Sequence, residues 1–170
     1  IDGFQNTIYI ANSSFNDNFG NGIDINYWAP VTLYNVQANY NGNNGAYITN
    51  QSNHFPPNLN NELQYVEQIN NVVIENGEFV GNGQAHFYKN LADPYQEFNI
   101  DEGNGLFVSS ENIFLKNVLA SANGNNGAVL ISNLNIGSQN VGDFGTKIKV
   151  VCSQFNDNTQ DGITGSTDGD

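Results

Sequence analysis

The stretch Ile8-Tyr-Ile-Ala-Asn12-Ser-Ser-Phe15-Asn-Asp-Asn18-Phe-Gly-Asn-Gly22-Ile23-Asp-Ile25 decides how the chain is read, because it returns 23 residues later. The second copy is Val31-Thr-Leu33-Tyr-Asn35-Val-Gln-Ala38-Asn-Tyr-Asn41-Gly-Asn-Asn-Gly45-Ala46-Tyr-Ile48. The unit recurs over 113–130 and 148–165, and an interrupted copy over 72–108 carries an insertion at 83–103. A unit of this length repeated five times is the signature of a solenoid, in which each unit buries its apolar side only against its neighbours.

Alternations such as Ile8-x-Ile10 and Ile23-x-Ile25 have the period of a half-buried strand. Asn and Gly, which tolerate left-handed backbone, bound each short strand. The expectation is an all-β, right-handed parallel β-helix of about five coils with three short strands per coil, the coils about 4.8 Å apart. Residues 1–170 then form one domain with no helix beyond a short turn at 61–68.

Stacked coils place equivalent residues above one another. One column reads Asn12, Asn35, Asn76, Asn117, Cys152 and a second reads Asn18, Asn41, Asn82, Asn123, Asn158. Asparagines in register can pass amide hydrogen bonds from coil to coil and satisfy buried turn backbone. Two ladders are expected, with Cys152 a buried, inert thiol at the end of the first. Between them, Phe15, Ala38, Phe79, Ala120, Phe155 and Ile23, Ala46, Leu106, Ala128, Ile163 alternate large and small. That alternation is read as core packing.

The repeat accounts for an odd composition. The chain of 170 residues holds 33 Asn and 18 Gly, and only 4 basic residues against 17 acidic ones, for a net charge of −13. The basic residues are all lysines; there is no arginine. Such a chain repels a phosphate backbone, so nucleic acid is excluded as a partner. No apolar run is long enough for a spanning helix, so no membrane insertion is expected.

The repeated N-x-x-[FA]-x-x-N and N/D-G-φ-x-φ patterns (φ apolar) resemble the right-handed parallel β-helix repeat proteins, the pectate-lyase-like superfamily, over residues 7–165. The resemblance implies a secreted or surface location and, in the enzymes of that superfamily, a polysaccharide groove on one side of the helix. Its lyases pair Ca²⁺ on carboxylates with an arginine base, which this chain lacks. Its hydrolases use clustered aspartates near a G-H-G segment; His54 lies in Asn-His-Phe and His86 in Ala-His-Phe, and neither matches.

Specificity in repeat proteins resides in insertions. The long ones, 49–71, 83–103 and 131–147, all flank one strand per coil and should project from one side. The outward positions of that strand are Asp24, Tyr47, Phe107, Val129 and Thr164. Either the loops fold over Tyr47 and Phe107 as a second small core, or they wall an aromatic groove with Phe55, Tyr65, Tyr88, Tyr95 and Phe98. The acidic loop Asp93, Glu97, Asp101, Glu102 is read as a solvated loop before it is read as an acid–base pair. No cofactor is expected. The candidates for a structural Ca²⁺ are Asp101 and Glu102 with Asn104, and Asp161 with Asp168 and Asp170.

Two N-x-S/T sequons occur. Asn12 should be hidden in its ladder and Asn50, in an expected loop, is the glycan acceptor candidate. Neither end shows a capping helix, so the expectation is a piece of a longer β-helix, or a subunit that self-associates through open solenoid ends. The preferred reading is a non-catalytic extracellular or cell-surface module, structural or adhesive. The alternative is a domain that binds or hydrolyses polysaccharide on the loop-flanked sheet.

Overall fold

A computed structural model describes residues 7–27, 29–50, 71–83, 103–132 and 147–167, and the structural statements below concern these. Each repeat supplies one strand to each of two sheets. The first sheet contains β1 (Ile8–Ser14), β3 (Val31–Gln37), β5 (Asn71–Glu78), β7 (Asn112–Lys116) and β9 (Lys147–Val151). The second contains β2 (Ile23–Asn26), β4 (Ala46–Asn50), β6 (Leu106–Ser110), β8 (Ala128–Ser132) and β10 (Ile163–Thr167). The sheet orders are β1-β3-β5-β7-β9 and β10-β8-β6-β4-β2, so both advance in step with the chain. Every pairing is parallel. The fold is all-β.

The register is the one that the repeat predicts. Ile8 pairs with Val31, Val31 with Val72, Val72 with Ile113 and Ile113 with Ile148. In the second sheet Ile23, Ala46, Leu106, Ala128 and Ile163 stand in one row. The inward residues of the middle repeats, among them Leu33, Ile48, Ile74, Phe79, Leu106 and Leu115, are fully buried, and the small residues Ala38, Ala46, Ala120 and Ala128 fill the layers between large ones. Burial fades toward the outer strands: Ile8, Ile10, Phe15, Ile148 and Phe155 are partly covered, and Ile163 is 44% exposed.

The three separate strands per coil expected from the sequence take a different form. In β1, β3 and β5 the second segment runs on from the first across a bend, and beyond them it is reduced to single bridges, Glu78 to Leu119 and Leu119 to Gln154. The bend falls at Asn12, Asn35, Asn76, Asn117 and Cys152, all with φ between 50 and 55°. A second left-handed column lies five residues on, at Asp17, Tyr40, Gly81, Ala122 and Asp157. Tyr and Ala rarely adopt this conformation, so the stacked backbone imposes it there.

The repeat glycines have a different cause from the one read in the sequence. Gly45, Gly105 and Gly127 are not left-handed. A Cβ on Gly45 would lie 2.6 Å from the Gly105 carbonyl oxygen and 2.8 Å from Asn82 Nδ2. Glycine is required because the next repeat comes too close for any side chain.

Candidate functional site

The outward row of the second sheet forms as expected. Asp24 pairs with Tyr47, Tyr47 with Phe107, Phe107 with Val129 and Val129 with Thr164. Side chains at equivalent positions of parallel strands stand about 4.8 Å apart, which suits ring stacking. Tyr47 and Phe107 stack with centroids 4.8 Å apart and planes inclined by 14°. Both rings and Val129 are half-buried, while Asp24 and Thr164 at the ends of the row are exposed. The chain leaves the described residues just after β4 and after β8 and re-enters just before β6, so the gaps at 51–70, 84–102 and 133–146 all border this sheet.

The remaining groove candidates, Phe55, Tyr65, Tyr88, Tyr95 and Phe98, lie outside the described residues, as do the Ca²⁺ candidates Asp101, Glu102, Asp168 and Asp170 and both histidines. Asp161 is described and exposed; its Oδ2 accepts from Thr164 Oγ1 at 3.4 Å and its backbone N–H donates to Asn126 Oδ1. Among the described residues no three Asp, Glu, His or Cys side chains gather as a metal site would require. The charged contacts lie on the first sheet: Lys116 Nζ is 3.9 Å from Glu75 Oε1, and Lys149 Nζ sits 5.6 Å from the Phe114 ring centroid.

The asparagine columns are the most ordered polar feature. Asn18, Asn41, Asn82 and Asn123 each donate Nδ2 to the Oδ1 of the next member, at 2.8, 3.0, 3.1 and 2.9 Å, ending on Asn158. The backbone N–H of each donates to the same oxygen at 3.0 Å. Every acceptor thus takes two donors. The first column is looser: Asn35 donates to Asn12 at 2.8 Å and Asn117 to Asn76 at 3.0 Å, with both pairs exposed. It marks the left-handed bend and does not satisfy a buried turn. Asn12 is accordingly exposed and not hidden, and Cys152 at its end is an exposed free thiol, not a buried one.

A third column went unread in the sequence. Asn44 donates to Asn21 Oδ1, Asn104 to Asn44 and Asn126 to Asn104, each through Nδ2 at 3.0 Å and each also through its backbone N–H. Asp161 closes it through backbone N–H alone, at 3.1 Å. The signal was present, since each member directly precedes a repeat glycine: Asn21-Gly22, Asn44-Gly45, Asn104-Gly105, Asn126-Gly127, Asp161-Gly162. It runs opposite to the second column. There the donor sits in the earlier repeat and the acceptor in the later one; here the order is reversed.

Asn50, the expected glycan acceptor in a loop, ends β4 instead. It is fully buried, with Nδ2 donating to the Ala29 carbonyl at 2.7 Å, and its Oδ1 meets no hydrogen-bond donor among the described residues. The two sequons therefore exchange places, Asn12 at the surface and Asn50 within. Searches with this chain match no family model, no curated protein and no solved structure.

Proposed function

We propose that the chain is a non-catalytic structural module of the right-handed parallel β-helix type, five coils long, that serves outside the cell as a surface, adhesive or filament-forming element. One observation carries this reading: the densest polar chemistry, the Asn columns, is committed to joining one repeat to the next. Amides that already bond in a continuous stack hold the coils in register and are not available to a substrate. The half-buried Tyr47–Phe107 stack supports the same reading, because rings packed on each other and partly covered act as a second small core.

The stack also favours the second reading, a glycan-binding face, since a planar aromatic platform on an outward sheet row suits the apolar face of a sugar ring. The two readings separate in one experiment. The purified chain is incubated with neutral and acidic polysaccharides, and retardation in affinity gels and release of reducing sugar are both followed. The structural reading expects neither. Retardation abolished by Phe107→Ala would establish the glycan-binding alternative, and sugar release would establish hydrolysis.

A further inference from the structure

The first left-handed bend lies at the surface in every repeat that has it. Asn12, Asn35, Asn76 and Asn117 all have φ between 50 and 55° and all are exposed, although the last three have a neighbouring strand on both sides. The exposure of Asn12 is therefore a property of its column. What sets Asn12 apart is the residue two positions on. The other repeats place Gln37, Glu78, Leu119 and Gln154 there, whereas Ser14 completes the sequon Asn12-Ser13-Ser14. Ser14 is exposed, and its Oγ accepts from the exposed Asn16 Nδ2 at 2.8 Å. Ser13 is turned onto its own backbone, with Oγ donating to the Ala11 carbonyl at 2.8 Å. Both groups that the sequon needs, the amide of Asn12 and the hydroxyl of Ser14, thus lie at the surface.

From this we infer that Asn12 is the site of an N-linked glycan. The inference rests on the extracellular reading above, because this modification belongs to secreted chains. In the transfer, Nδ2 bonds to the anomeric carbon of an oligosaccharide carried on a polyprenyl diphosphate. The bond from that carbon to the diphosphate oxygen breaks, and the polyprenyl diphosphate leaves with the electron pair. Nδ2 gives up one proton to a base of the transferase.

The product is still an amide, so the column tolerates it. Oδ1 remains an acceptor for Asn35 Nδ2, now at 2.8 Å, and the substituted nitrogen keeps one hydrogen. Asn50 fails on the same grounds. It is fully buried and its Nδ2 donates to the Ala29 carbonyl at 2.7 Å, so a sugar on that nitrogen would hold the end of β4 away from its place. Spacing adds a further limit. Equivalent residues stand about 4.8 Å apart, less than the width of a hexose with its hydroxyls, so sugars on successive members would collide. A single sequon in the column meets that limit.

To test this, the chain is secreted from a eukaryotic host behind a cleavable leader. Folded product is mapped by mass spectrometry after peptide N-glycosidase, which converts a glycosylated Asn to Asp. Sugar is expected at Asn12. Asn12→Gln and Ser14→Ala should abolish it, while Ser14→Thr, and Ser52→Ala, which deletes the other sequon without changing Asn50, should retain it. A second arm uses unmodified protein from bacteria, given a purified oligosaccharyltransferase and a lipid-linked oligosaccharide. The folded chain should accept sugar at Asn12 alone, and the denatured chain at both Asn12 and Asn50. Folded secreted protein that is bare at Asn12, or that carries sugar on Asn50, overturns the inference and leaves the structural reading in place. A chain that folds in bacteria yet is not secreted by the host, with or without its sequons, overturns the extracellular reading and the inference together.

Discussion

Asn82 and Asn123 share one hydrogen-bonded unit: the side-chain Nδ2 and the backbone N–H of Asn82 both donate to Asn123 Oδ1, at 3.1 and 3.0 Å, and both side chains are shut off from solvent. Asn123 Nδ2 in turn reaches the Phe79 carbonyl and Asn158 Oδ1. A buried group in such a chain has no water to replace a lost partner, so the penalty for breaking it is that of an unsatisfied group and not of one exchanged bond.

Asn123→Ala therefore strands two buried donors of Asn82 and should lower stability by about 2–4 kcal/mol in denaturant unfolding. Asn12→Ala, in the exposed column, should change it by less than about 1 kcal/mol. Equal losses at the two sites would show that ladder membership, and not burial, sets the cost.

Asn82→Asp adds a sign that can be checked. The new carboxylate is buried, so its folded-state pKa is raised above the unfolded value. A group raised in this way is compatible with folding below its unfolded pKa, near 4, and costs stability as pH rises through that range. The deficit relative to wild type should be small near pH 3 and grow toward pH 7. A deficit independent of pH would mean that the side chain has turned out to water.

The glycines at 45 and 165 should respond in opposite directions. A methyl on Gly45 collides with the Gly105 carbonyl and the Asn82 amide, and overpacking of this kind costs about 1–3 kcal/mol. A methyl on Gly165 meets only Ile148 Cδ1, at 3.8 Å, in a strand where glycine is itself unfavourable. Gly165→Ala should stabilise by about 0.5 kcal/mol. Thermal unfolding of both variants beside wild type is sufficient, and a stabilised Gly45→Ala would refute the crowding argument.

Cys152 adopts φ 51° at a position filled by Asn in the four other repeats. Asn accepts that conformation more readily, and its Nδ2 would face Asn117 Oδ1 in the manner of Asn117 toward Asn76. Cys152→Asn should raise stability by about 0.5–1 kcal/mol. A lower melting temperature would mean that the thiol makes a contact that the column pattern does not reveal.

The relation between sequence and structure differs from one feature to the next. The 23-residue return of Asn18 at Asn41 and of Ile23 at Ala46 was sufficient to set the register of both sheets, because parallel stacking puts repeat-equivalent residues side by side. The third column was legible in the same way, as the residue before each repeat glycine, but its N-G pairs read equally well as plain turns. For the outward face, the row Tyr47–Phe107 followed from register alone.

Three things were decided only in the tertiary structure. Whether a column is buried depends on where it sits in the folded repeat, so identical Asn patterns gave an exposed Asn12 and a buried Asn82. Whether a glycine serves backbone freedom or close approach depends on the neighbouring repeat, which no local window contains. The direction of an amide ladder is invisible in residue names, because Asn is both donor and acceptor; only the packed turn fixes which side faces the next repeat. A one-dimensional repeat specifies what stacks on what, and the three-dimensional packing of the repeats specifies which side faces solvent and which way the hydrogen bonds run.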